Sequence, residues 1–196
     1  MSQTIAERIR FEDDPIKGSR FIATAIPVAD ESQAKDALAE IRSEMPDAGH
    51  HCWAWRIASP AIDRASDDGE PSGSAGKPIL AQLVGRELVD TAVVVSRFWG
   101  GTKLGVGGLV RAYGGAAGAA LDQAELVAWV TRVAATIRHE HGDIDSVVRA
   151  MAAVGATDVD VGYGTAVTRL IEVPADNVEL LVSSIADATS GRASVE

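Results

Sequence analysis

The feature that most constrains the fold is an apolar run near the middle of the chain, at residues 91–98. Ala92, Val93, Val94 and Val95 follow one another there without a polar interruption. A strand with one face in water would alternate apolar and polar residues, whereas an unbroken β-branched run is typical of a strand covered on both faces. The sequence therefore predicts a central strand buried on both sides.

Other elements of the first part of the chain follow from local signals. Residues 19–28 are predicted to form a strand, and Asp30 with Gln33 forms a capping pair that opens a helix ended by Pro46. Trp53, Trp55 and Ile57 alternate with small or polar residues and predict a second strand. The polar segment 64–77 is predicted to be a long loop, Pro78 to start a helix that runs to about residue 87, and residues 107–121 to form another helix.

The pattern changes after a boundary that we place near residues 123–125. We expect a first domain at 1–124 and a second at 125–196. In the second, alternating strands and two amphipathic helices follow one another in the order βαββαβ, which suggests a ferredoxin-like domain. The predicted fold class is therefore α+β.

Charge and composition limit the function. Lys and Arg number 18 against 28 Asp and Glu, for a net charge of −10, which argues against a generally basic nucleic-acid binder or a reader of DNA sequence. Between Asp90 and Asp122 there is no acidic residue, yet Arg97, Lys103 and Arg111 lie there. An anionic partner should meet this segment first.

Cys52 is the only cysteine, which excludes an internal disulfide and a Cys-rich zinc site. The apolar runs are too short for a membrane span, and the first eleven residues lack the apolar segment of a secretion signal. We expect a cytoplasmic protein with no membrane partner.

A glycine-rich segment runs from Arg97 to Gly114 and places a Gly loop between a strand and a helix. Backbone N–H groups in such a loop can hold an anion, although the segment matches neither a Walker loop nor a Rossmann fingerprint. Gly107, Gly114 and Gly118 share a helix face with Arg111. Two explanations stay open: close packing of the bare helix face, which local physics favours, or a partner backbone or anion docked over it.

An earlier stretch, residues 66–76, clusters Asp67, Asp68 and Glu70 with Ser72 and Ser74. Clustered carboxylates can bind Mg²⁺ or Ca²⁺ or act in acid–base catalysis, but the spacing does not match the EF-hand loop, no nucleophile–base pair is evident, and a solvated turn is favoured. His50 and His51 precede Cys52 on a strand, so only one of them can face a given site.

Three stretches together, residues 50–55, 67–78 and 97–114, resemble the successive signature blocks of the IMPACT/YigZ family in its bacterial two-domain form. The resemblance covers about residues 17–121. Trp53 and Trp99 stand where tyrosine or phenylalanine is commoner, and Ser74 where threonine is usual. These departures preserve the chemistry.

The resemblance implies an N-terminal domain like the second domain of a small-subunit ribosomal protein and a C-terminal domain like those of ribosomal elongation factors. Eukaryotic members of the family restrain a starvation-responsive kinase that acts on a translation initiation factor, by competing for its activator. For bacterial members, binding to nucleic acid or the ribosome is the usual suggestion.

Two hypotheses follow. The first, which we favour, is a non-catalytic protein linked to translation that binds RNA, the ribosome or a ribosome-associated protein, without a cofactor or metal. Its expected binding residues are Arg97, Gly100, Gly101, Lys103, Gly105, Gly107, Gly108, Arg111, Asp68, Glu70, Ser72 and His51. The second is an enzyme for a small phosphorylated or carboxylated ligand, with Asp68 and Glu70 in the mouth of a cleft between the two Gly-rich segments.

Overall fold

The computed structural model describes residues 2–196 and shows an α+β protein of two compact units. The first unit extends to Trp129 and the second is Val130–Glu196. The predicted boundary near residue 124 lies inside the first unit, because β7 (Leu126–Ala128) pairs with β1 (Gln3–Ile5).

The first unit is built on an antiparallel sheet of five strands in the order β2–β3–β6–β4–β5. The central strand β6 is buried at every residue from Thr91 to Arg97, as its unbroken apolar run predicts. The bounds of the five strands, in chain order, are β2 Ile9–Glu12, β3 Arg20–Pro27, β4 His50–Ile57, β5 Ile62–Ser66 and β6 Thr91–Phe98.

Helices cover both faces of this sheet. Val93 and Val95 point into a core shared with the helices α2 (Gly76–Gly85) and α3 (Val106–Asp122). Their neighbour Val94 points the other way, toward α1 (Glu31–Glu44). Successive side chains on a strand alternate between the two faces, so a single apolar run serves both cores.

The start of α1 confirms the predicted capping pair. The Asp30 carboxylate accepts a hydrogen bond from the Gln33 backbone N–H at 2.8 Å, and the Gln33 side chain accepts one from the Ala29 N–H at 2.9 Å. Both bonds satisfy N–H groups that have no partner inside the helix.

Residues 64–77 differ from the predicted long loop. The strand β5 occupies part of this stretch and pairs with β4, which leaves a loop at residues 67–75. The helix α2 then begins at Gly76, not at Pro78. A Cβ on Gly76 would lie 2.7 Å from the Ser66 backbone nitrogen, so the chain can turn here only at a glycine.

The second unit has the predicted βαββαβ order of elements, and its antiparallel sheet has the strand order β11–β8–β10–β9. The segment from Leu126 forms two strands, of which β7 pairs within the first unit and β8 within the second. The elements are β8 Arg132–His139, α4 Ile144–Ala153, β9 Thr157–Tyr163, β10 Val167–Pro174, α5 Val178–Thr189 and β11 Ser194–Val195. Over residues 2–196, the helices are all too short or too polar to cross a bilayer.

Glycines of the Gly-rich segment make close contacts within the chain itself. Gly114 and Gly118 are buried where α3 packs on α2, and a Cβ on Gly118 would lie 2.9 Å from the Gln82 side chain. A Cβ on Gly100 would lie 1.9 Å from the backbone carbon of Gly18. The packing explanation therefore holds at Gly114 and Gly118, and Gly100, although exposed, has no room for a Cβ either.

We predict that Gly100→Ala destabilises the protein by about 1–3 kcal/mol or more, because two backbones must separate to admit the methyl group. Gly115→Ala is the matched control. Gly115 is an exposed position inside α3 where a Cβ would meet nothing within 4 Å, so alanine should stabilise by up to about 1 kcal/mol. Urea denaturation followed by circular dichroism measures both effects, and equal effects of the two substitutions would contradict this account.

Candidate functional site

A concave cavity of about 600 Å³ lies in the first unit where the two Gly-rich segments meet. The end of β6, the loop after it and the start of α3 form one side of the cavity, and the loop 67–75 and the start of β4 form the other. Its lining residues are Gly49, His50, Glu70, Pro71, Arg97, Trp99, Lys103, Leu104, Gly105, Val106 and Leu109.

A buried ion pair forms the polar wall of this cavity. The Arg97 guanidinium donates to the Glu70 Oε1 at 2.6 Å, with only 8% and 5% of the two side chains exposed. The Tyr113 hydroxyl, from α3, donates to the same oxygen at 2.7 Å. Burial raises the pKa of this phenol, so it stays protonated and serves as a donor. The pair thus joins the two Gly-rich segments, and Tyr113 joins α3 to the same carboxylate.

The remaining contacts of Arg97 show that its charge faces inward. Nη2 lies 3.4 Å from the Ser19 hydroxyl, and the guanidinium carbon lies 5.6 Å from the Phe21 ring centroid. Its Nε is buried with no hydrogen-bond partner among the residues described. Arg97 was expected among the residues that bind an anionic partner; Glu70 neutralises its charge, and its part in binding stays a prediction.

The loop 67–75 is organised around the Asp67 carboxylate. This group accepts backbone N–H bonds from Gly73 at 2.7 Å, Ala75 at 2.9 Å and Gly76 at 2.8 Å. Burial acts to raise the pKa of Asp67, but these backbone hydrogen bonds outweigh it, and the pKa lies below its ordinary value. Asp67 thus stabilises the turn, and within residues 2–196 no cluster of three His, Cys, Asp or Glu residues could hold a metal ion.

The Cys52 thiol lies behind the same loop and donates to the Asp67 carbonyl at 3.0 Å. Burial raises its pKa to about 12, so the thiolate is scarce at neutral pH. Cys52 is therefore a core residue.

Asp68 does not lie in the mouth of the cleft, as the enzyme hypothesis expects. Its Oδ1 accepts from Arg42 at 2.7 Å and its Oδ2 from the His51 backbone N–H at 2.7 Å. Asp68 has a positive φ of 43°, which turns the chain so that Glu70 faces the cavity and Asp68 faces away from it. The predicted pairing of the two carboxylates at one site is therefore wrong, and only Glu70 lines the cavity.

The histidine that lines the cavity is His50, not His51. The His51 ring is buried on the opposite face of the sheet, with Nδ1 at 2.8 Å from the Ser96 hydroxyl, and burial lowers its pKa. His50 Nδ1 lies 2.8 Å from the Asp68 carbonyl. In its neutral form this ring donates from Nδ1 and keeps Nε2 as an acceptor.

Exposed positions of the second segment surround the cavity opening. Trp99 is 66% exposed, and Lys103 and Gly101 are also exposed. Gly105 precedes α3 with a φ of 73°, and no side chain caps the helix there. The backbone N–H groups of the first turn of α3 therefore begin at the cavity wall, which includes Gly105 and Val106.

The other predicted binding residues lie elsewhere. Arg111 is exposed beside a separate small groove that it shares with Lys17, and Gly108 lies in this groove too. Gly107 is exposed on α3, and a Cβ there would lie 3.8 Å from the Arg111 guanidinium. Ser72 is exposed on the loop 67–75.

Comparisons with known proteins identify the family. The Impact N-terminal domain model matches residues 17–121, more than half of the chain. This chain belongs to the IMPACT family. The YigZ member from Escherichia coli is 35% identical over 181 residues, which are 91% of this chain and 89% of that protein. The predicted membership is thereby confirmed.

Two further relatives extend the match. The Bacillus subtilis family member YvyE is 47% identical over 100 residues, 50% of this chain and 46% of that protein. A crystal structure described as a hypothetical protein covers 99% of this chain and 95% of its own length, with 32% identity and a TM-score of 0.73. The IMPACT-family chain thus shares its whole two-unit length with a solved relative.

We predict that Glu70→Ala costs about 3–5 kcal/mol of unfolding free energy, because it leaves a buried guanidinium without its anion. Glu12→Ala is the matched control, since it breaks an Arg–Glu pair whose side chains are 48% and 35% exposed and should cost at most about 1 kcal/mol. Chemical denaturation compares the two variants. Equal losses would show that the Glu70–Arg97 pair contributes no more than a surface pair.

Asp67 makes the fold sensitive to acid. A folded-state pKa below the unfolded value of about 3.9 adds stability that is fully present above that pH and is lost as the pH falls through the folded value. We therefore expect Asp67→Asn to be less stable than the parent at neutral pH and to lose less stability between about pH 5 and about pH 3. Thermal unfolding across this range measures the difference, and parallel curves for both proteins would contradict the assignment.

Proposed function

We propose that this IMPACT-family protein is a non-catalytic binding module linked to translation, and that it docks single-stranded RNA at the opening of the cavity. The observation that carries the proposal is that Trp99 and Lys103, both exposed, line the same cavity. Membership of the family supports the link to translation. We further propose that the second unit, with its βαββαβ order, is a ferredoxin-like domain of the elongation-factor type, and that the first resembles a small-subunit ribosomal domain.

Stacking favours a single strand over a duplex. An aromatic side chain with most of its surface in water can stack on an unpaired base, an interaction worth about 1–3 kcal/mol per base. Tryptophan side chains are highly buried on average, so an indole that is 66% exposed is unusual. Trp99 lies between the end of β6 and Lys103, so a base on the indole and a phosphate on the ammonium belong to one docking surface.

The positive charge available to phosphates comes from a few side chains. Arg97 contributes none, since Glu70 neutralises it. Lys103, Arg111 and Lys17 are exposed, and the last two share the adjacent groove. From residue 130 onward the chain carries 5 basic and 10 acidic residues, so the second unit repels phosphates and is proposed to contact protein instead.

Salt dependence tests the RNA proposal. If three cations each neutralise a phosphate, log K for a single strand should fall against log salt with a slope of about −2, measured from about 50 to about 200 mM by fluorescence anisotropy. Lys103→Gln should reduce that slope by about 0.7. Trp99→Ala should weaken binding roughly tenfold at every salt concentration, because stacking does not depend on counterions.

Lys35→Gln is the matched control for Lys103→Gln. Lys35 is an exposed lysine on α1, the helix that covers the opposite face of the sheet, so the slope should not change. The proposal fails if single-stranded RNA does not bind, or if Lys35→Gln and Lys103→Gln change the slope equally.

The cavity itself favours a second candidate, an enzyme for a small phosphorylated or carboxylated ligand. Its volume of about 600 Å³ lies within the usual range for small-molecule sites, and Glu70 and His50 on its wall could exchange protons with a ligand. Conversion of a phosphorylated ligand that also raises the melting temperature would select this candidate. Stabilisation without turnover would leave the binding function in place.

A further inference from the structure

We infer that the cavity between the two Gly-rich segments is a binding site for a nucleoside 5′-phosphate. The nucleotide can come from two sources, the 5′-phosphorylated end of an RNA strand or a free mononucleotide. With the first source, the inference rests on the RNA binding proposed above and adds a preference for one end of the strand. With the second source, it stands without that function.

The phosphate end of the site is the start of α3. This helix has 17 residues, and no side chain caps its first turn. The first N–H groups of a helix lack partners within it, and together with the helix dipole they favour an anion. Gly105 and Val106 belong to the cavity wall, and Lys103 lines the same cavity.

A second observation, independent of the helix, points to a ligand. Arg97 lines the cavity with 92% of its side chain buried, and its Nε has no hydrogen-bond partner within residues 2–196. A buried donor without a partner is costly and is uncommon in native structures. Because this nitrogen has almost no accessible surface, a ligand oxygen in the cavity would supply the missing acceptor after a small shift of the Arg97 side chain.

Glu70 offers the complementary group. Its bonds from Arg97 and Tyr113 are both accepted by Oε1, which leaves Oε2 to accept from a ligand. A carboxylate at this position suits a ribose hydroxyl, as in dinucleotide-binding sites, or the amino group of a base. A ligand with only a phosphate would leave this acceptor unused.

The rest of the wall suits a flat, largely apolar body. Leu104, Val106, Leu109 and Pro71 line it, and the Trp99 indole stands at its opening. Bases stack on aromatic side chains and pack against aliphatic ones. An anion-binding end, a carboxylate and an aromatic wall in one cavity together match phosphate, ribose and base.

The test compares the affinities of two short single-stranded RNAs of one sequence, one with a 5′-phosphate and one with a 5′-hydroxyl. Calorimetry also compares AMP and UMP with their nucleosides. We expect the 5′-phosphate to improve affinity roughly tenfold, the usual order for a charge-assisted hydrogen bond. Val106→Pro removes one N–H at the first helical position, where proline is tolerated, and should reduce this preference to about threefold. Val106→Ala, which keeps the N–H, is the control and should leave the preference unchanged.

The outcomes separate the inference from the proposed function. RNA that binds equally well with either 5′ end, together with AMP and UMP that bind no better than their nucleosides, overturns the inference and leaves RNA binding in place. If AMP or UMP binds better than its nucleoside while RNA does not bind, the inference is supported with a free nucleotide as the ligand, and the RNA proposal is overturned. If Val106→Pro and Val106→Ala change the phosphate preference equally, with melting temperatures that match, the phosphate does not lie at the start of α3 and the inference is wrong.

Discussion

The buried Glu70–Arg97 ion pair is the interaction on which the rest of the site depends. It joins a loop that follows an edge strand to the last residues of the central strand, and the Tyr113 hydroxyl ties α3 to the same carboxylate. Removing two charges from water is costly, so a pair of this kind is weak evidence for stability. Its geometry instead fixes the relative position of three segments and so defines the cavity between them.

Local hydrogen bonds place Glu70 where it can make this pair. The Asp67 carboxylate binds three backbone N–H groups of the residues that follow, and Asp68 holds the start of β4 through the His51 N–H. The acidic cluster that resembles a metal site in the sequence is thus divided among three structural tasks. One carboxylate builds the turn, one joins the turn to the sheet and α1, and one faces the cavity.

The sequence predicts those features that local patterns determine. The unbroken run at 92–95 gives the central strand, and Asp30 with Gln33 gives the start of α1. The edge strand β5 could not be predicted, because its mostly polar residues show no alternation of apolar and polar side chains. It is a strand only because it pairs with β4. The neutralisation of Arg97 could not be predicted either, because its partner lies 27 residues earlier. Side-chain alternation could have identified His50. Residues 50 and 52 of a strand point to the same face of the sheet, and Cys52 packs in the core beneath α3.

Neutralisation of Arg97 changes how an anion would be recognised here. The chain carries a net charge of −10, and the free cations around the cavity and its neighbouring groove are few. Long-range attraction of a polyanion is therefore weak, and the Debye length of about 8 Å at physiological salt screens it further. Recognition must come from short-range contacts, namely stacking on Trp99 and hydrogen bonds from the start of α3. Short-range contacts of this kind select a ligand by its shape and its terminal groups, whereas a broad basic face would bind any nucleic acid.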